Sequence, residues 1–200
     1  MEQFDAEMLA LLARKACGRE DLRLEGYQTQ VIKGGAEVGS SIQRISGVGE
    51  VDGQAIPWSL ILKTITCGPG NSSSLQAAHY WGREPYYYQS GILDELSAGL
   101  RAPRCYGVVE RPGSFQLFLE DLCDEFHTAG LSQGWPLDYY HRAARCLGRF
   151  NGAYLGGRPV PESECIPRNW LRVYIEEAAP DIELFLRSAD HPILKRSLGQ

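Results

Sequence analysis

The hexapeptide Leu60-Ile61-Leu62-Lys63-Thr64-Ile65 sets one cation inside an apolar strand pattern. With a strand period of two, Lys63 shares a face with Ile61 and Ile65. An amine among apolar neighbours must reach water, meet a carboxylate or bind an anion, because an unpaired buried charge is costly. On an edge strand the same lysine would simply snorkel to solvent. Both outcomes are open from this stretch alone.

Outward from Lys63, strand-like segments near Tyr27–Lys33, Ser41–Ser46 and Ile56–Thr66 are separated by expected turns at Gly34-Gly35 and Gly47-Val48-Gly49. Two more strands are expected at Pro103–Val109 and Phe115–Leu119, joined by Arg111-Pro112-Gly113-Ser114. Phe4, Met8, Leu11 and Leu12 predict an opening helix from Phe4 to Lys15. Leu75 to Leu96 reads as helical with an interruption at Pro85. Leu137–Leu155, Leu171–Ala178 and Asp181–Ser188 read as later helices, the last two divided by Pro180. The segregation of strands and helices gives an α+β class, with a sheet-bearing part at residues 1–122 and a helical part at 123–200.

The chain has 200 residues, 44% hydrophobic and 22% charged, which suits a folded core and excludes intrinsic disorder. A net charge of -5 argues against nucleic-acid partners. No apolar run approaches the roughly 20 residues of a membrane span, and the acidic start lacks signal-peptide character. The six cysteines form no C-x-x-C pair and are expected to be reduced thiols. A cytoplasmic protein without membrane or nucleic-acid partners is the expectation.

Around Lys63, three further patterns carry chemistry. Gly34-Gly35-Ala36-Glu37-Val38-Gly39-Ser40-Ser41 approaches a Walker phosphate loop, but Ser40 stands where its lysine is required. A Gly-rich turn between strands still offers N–H groups and the Ser40 and Ser41 hydroxyls to phosphates; an ordinary hairpin turn is the alternative. In a continuous helix Trp81, Glu84 and Tyr88 would share one face, which makes Glu84 a candidate partner for Lys63. Pro85 complicates that placement, and a helix beginning at Pro85 would leave Glu84 as its cap. The apolar strand ending in Glu120-Asp121-Leu122 reads either as a strand leaving the core or as a linker whose backbone holds a flat heterocycle. The four histidines show no metal-ligand spacing.

Taken together, this order of parts resembles the N-lobe of a kinase. In detail it is more similar to the aminoglycoside phosphotransferase/choline-kinase-like family. The resemblance rests on Tyr80-Trp81-Gly82-Arg83-Glu84-Pro85-Tyr86-Tyr87-Tyr88, on Ala102-Pro103-Arg104-Cys105-Tyr106-Gly107, on Leu119-Glu120-Asp121-Leu122 and on Ala143 to Leu155. It implies a five-stranded antiparallel N-lobe plus helix, followed by the first helices of an incomplete helical C-lobe. It also implies that Lys63 meets the α- and β-phosphates of ATP and that Glu84 holds Lys63. Gly34, Gly35, Gly39, Ser40 and Ser41 would cover the phosphates, while the backbone of Glu120, Asp121 and Leu122 would hold adenine. The implied activity is Mg²⁺-assisted transfer of a phosphoryl group from ATP to a small-molecule hydroxyl.

One departure bears on mechanism. None of the four histidines is followed two residues later by aspartate, so the family's H-G-D-x-x-x-x-N loop is missing, and so is its later metal-binding aspartate. No catalytic or metal residue is therefore assigned. The expectation is the nucleotide-binding part of a phosphotransferase whose remaining half lies beyond Gln200. Its last helices would present apolar side chains such as Leu171, Ile175, Leu184 and Phe185. The alternatives are a catalytically inactive nucleotide- or protein-binding module, and a structural protein in which Lys63 and Glu84 only form an ion pair.

Overall fold

The computed structural model describes residues 4–32, 40–68, 72–96, 99–122 and 136–187, with side chains left aside at 95 and 181–187. Helix α1 (Ala6–Cys17) starts where the Asp5 carboxylate accepts the N–H groups of Glu7 and Met8, and ends at Gly18 with φ 65°. Strands β1 (Arg23–Val31), β2 (Ser40–Val51), β3 (Gln54–Thr66), β4 (Cys105–Arg111) and β5 (Ser114–Glu120) form one antiparallel sheet in the order β1-β2-β3-β5-β4. Helix α2 (Arg83–Gln89) lies between β3 and β4 in the chain, and α3 (Leu137–Leu155) and α4 (Trp170–Arg187) follow the sheet. The α+β class is therefore as the sequence predicts.

Strand alternation divides the sheet into two apolar faces. One face carries Ile45, Trp58, Leu60, Leu62 and Phe118, and packs on Leu9, Leu12 and Ala13 of α1. The other carries Phe115, Leu117 and Leu119, with Ile61, Ile65, Trp81 and Tyr88 against them. Lys63 belongs to this second face, because it lies two residues from both Ile61 and Ile65.

The turn expected at Gly47-Val48-Gly49 is not there; these residues continue β2. Their glycines answer to packing instead. A Cβ at Gly47 would lie 2.2 Å from the Gly26 carbonyl oxygen and 3.0 Å from the Trp58 ring. At Gly49 it would lie 2.7 Å from the Arg23 oxygen. The real turn is Asp52-Gly53, with φ 51° and 77°. Positive φ at both central positions matches the twist of a tight hairpin, and Asp-Gly is a favoured pair for it.

Two helix expectations also change. Residues 75–82 form turns rather than helix, α2 covers only Arg83–Gln89, and a short 3₁₀ turn follows at Ile92–Glu95 after Gly91 with φ 74°. Pro180 does not divide the last helix; α4 runs through it from Trp170 to Arg187.

The chain groups into two compact units, one of Met1–Asn71 with Trp81–Pro161, the other of Ser72–Tyr80 with Glu162–Gln200. In the second unit, Nε2 of His79 lies 2.8 Å from Oε1 of Glu177 on α4, and the Trp170 and Tyr174 rings stack 5.5 Å apart. Leu171 and Ile175 of that helix are exposed. Among the described residues, no helix is long and apolar enough to cross a membrane.

Candidate functional site

Lys63 is not on an edge. Its strand β3 is paired on both sides, with Ile42 of β2 and Leu117 of β5 opposite Lys63. A snorkelling route along a sheet border is thus closed, and the amine instead meets a carboxylate: Nζ donates to Oε2 of Glu84 at 2.6 Å. Both side chains remain partly open, at 27% and 38% exposure. The pair can be separated by an incoming anion without leaving either charge buried.

Glu84 reaches Lys63 from the first turn of α2. With Gly82 as the cap, Pro85 is the third helical residue and is buried. The first turn has no intrahelical use for its N–H groups, so proline costs no helix bond there. Trp81 and Tyr88 press on the same sheet face, Trp81 with its ring centroid 4.9 Å from that of Phe115. Burial, and then the nearby Glu84 charge, push the Tyr88 hydroxyl up to about 12, so it stays a neutral hydrogen-bonding group.

Ser40 and Ser41 open β2 opposite Ile65 and Thr64. By register only Ser40 shares the face of Lys63; Ser41 points to the α1 side with Thr64. The N–H of Ile32 donates to the Ile42 oxygen, so β1 and β2 close as a hairpin just before their connection. Gly34, Gly35 and Gly39 lie in that connection, outside the described residues.

The acidic end of β5 separates into two roles. Glu120 faces the register position of Leu60, and its N–H donates to the Arg104 oxygen. Its Oε2 accepts from Nη1 of Arg101 and from the Arg104 N–H at 3.0 Å. Burial alone would raise the Glu120 carboxyl, but the Arg104 N–H and the Arg101 guanidinium outweigh it and hold the group below the usual carboxylate range. Asp121 turns the other way. Its side chain is 3% exposed and takes Nε of Arg44 at 2.6 Å. Leu122 is half-buried beside them.

Arg44 was not among the residues singled out from the sequence. It lies on β2 opposite Ile61, and a basic residue on a strand interior gives no local sign of a partner 77 residues away. Together with Ser46, Ser59, Glu120 and Asp121 it lines a cleft of about 560 Å³. That cleft opens where β3 continues past its pairing with β5, which begins at Leu60 opposite Glu120. Among the described residues there is no group of three or more His, Cys, Asp or Glu side chains able to hold a metal.

One sheet face therefore carries two cations, each held by a carboxylate, with Ile61 between them; at one end it meets a cleft that Ala16, Cys17, Trp58 and Tyr106 line from the α1 side. Such a face offers a positive contact for phosphates at one point and backbone polar groups beside a cleft at another. No protein family, curated protein or solved structure gives a significant match to the chain.

Proposed function

We propose that this chain binds ATP as the nucleotide-binding part of a small-molecule phosphotransferase resembling the aminoglycoside phosphotransferase/choline-kinase-like family. Residues 1–122 act as its kinase-like N-lobe and 123–200 as the first part of its helical lobe, in the cytoplasm. The observation that carries this reading is the 2.6 Å Lys63–Glu84 contact on the face of a central strand, with Glu84 delivered by the helix between β3 and β4. A lysine oriented in this way meets the α- and β-phosphates, and Glu84 keeps it extended toward them. Ser40 on the same face adds a hydroxyl beside the phosphates, and Glu120 and Asp121 line the cleft for adenine, with Leu122 next in the chain.

Phosphoryl transfer also needs a carboxylate to orient the acceptor hydroxyl and oxygen ligands for Mg²⁺. The sequence lacks the H-G-D-x-x-x-x-N pattern, and the described residues offer no metal-holding cluster. These two observations favour, as a second reading, a catalytically inactive module that holds a nucleotide or a protein partner.

Calorimetric titration with Mg·ATP tests the first step of both nucleotide readings. Lys63→Ala is expected to weaken ATP binding at least ten-fold while the melting temperature moves little. Equal affinity in parent and variant would remove the phosphate contact. The 200-residue chain itself is expected to show no phosphotransfer to aminoglycosides or choline, read as ADP release with each acceptor.

A further inference from the structure

The sheet order places β2, β3 and β5 side by side, and the register sets Arg44, Ile61 and Leu119 in one row. All three point to the face of Lys63, since Ile45 and Leu60 point to the α1 side. Asp121 lies two residues beyond Leu119. To reach it, the Arg44 side chain must cross β3 over the Ile61–Ser59 stretch. The bond that anchors it uses Nε, and the terminal guanidinium nitrogens make no other hydrogen bond among the described residues. Asp121 is buried at 3% exposure while Arg44 keeps 30%, so the guanidinium is fixed from below and open above.

We infer that Arg44 is a nucleotide-contacting residue whose guanidinium forms the floor for the heterocycle, with Asp121 as the residue that positions it. This rests on the nucleotide reading of the Lys63 site. A guanidinium is planar and weakly hydrated and stacks on aromatic rings, whereas an ammonium group is a strongly hydrated point charge. Ile61 and Lys63 are two residues apart on β3, a separation of about 6.6 Å along the strand. The Arg44 backbone thus lies one pleat from the position of Lys63, and its guanidinium lies farther along β3, toward Ser59 and beside the end of β5 at Glu120 and Asp121. Arg44 then contributes to the base, and Lys63 to the phosphates.

The test uses the 200-residue chain with three probes: Mg·ATP, adenosine and inorganic tripolyphosphate. Arg44→Lys keeps a cation beside Asp121 and removes the plane, so the fold is preserved, as a melting curve checks. It is expected to weaken ATP and adenosine about ten-fold and leave tripolyphosphate unchanged. Lys63→Ala is expected to weaken ATP and tripolyphosphate and leave adenosine unchanged. Arg44→Lys with parental affinity for ATP and adenosine, while Lys63→Ala still loses ATP, overturns the Arg44 role and leaves the phosphate site standing. Absence of ATP binding in the parent chain overturns both.

Discussion

Two ion pairs lie on the same face of the sheet, and they differ in what surrounds their carboxylates. Lys63–Glu84 joins a central strand to a short helix with both side chains partly in solvent. Arg44–Asp121 has the same 2.6 Å contact, but its carboxylate is almost fully buried at 3% exposure. Equal geometry thus carries unequal energetics. A partly solvated pair loses little when one member is removed, because water takes over. A buried carboxylate that loses its cation has no such substitute. The first pair is suited to opening for a ligand, and the second to holding a side chain in a set orientation.

The largest effect should come from breaking the buried pair. Arg44→Ala is expected to destabilise the chain by about 3 kcal/mol in denaturant titration, because the buried Asp121 carboxylate loses its cation. Adding Asp121→Asn should restore much of that loss, and a double-mutant cycle reads the coupling directly. Lys63→Ala should cost less than about 1 kcal/mol in the same assay, the value of a solvated pair. A Lys63→Ala cost equal to that of Arg44→Ala would erase the distinction between the two.

The smallest effect concerns the neighbouring carboxylate, Glu120, held below its ordinary range by Arg104 and Arg101. A depressed carboxyl stabilises the folded chain above its unfolded value of 4.5 and loses that contribution as pH falls through the lower folded value. Glu120→Gln should therefore flatten the acid limb of stability below pH 4.5, by less than about 1 kcal/mol, with little change in its slope above. Melting temperatures of parent and variant between pH 3 and 7 check this. An unchanged acid limb would show that Arg101 and Arg104 contribute nothing net.

Much of the site is legible in the sequence, and the reason differs by residue. Lys63 stood out because a cation breaks a short apolar period. Glu84 stood out because two aromatics flank it at helical spacing, although Trp81 precedes α2 rather than lying in it. Arg44 gave no such sign, since polar residues are ordinary in β2. The sequence suggests a turn at Gly47–Gly49, yet those glycines make room for the Trp58 ring and for neighbouring backbone. The Asp52-Gly53 pair carried the better turn signal, because both positions take positive φ.

Local chemistry in the sequence determined the α+β class, the cores of its strands and the extent of α3, and marked Lys63 and Glu84 as candidates whose pairing the fold decides. Those features depend on period, caps and charge placement within short windows, and such preferences act before distant segments meet. The register of β2 on β3 and the order β2-β3-β5 were decided only by tertiary structure. They bring Arg44 over Ile61 to Asp121, and cross-strand register is a property of whole paired segments that no single window contains.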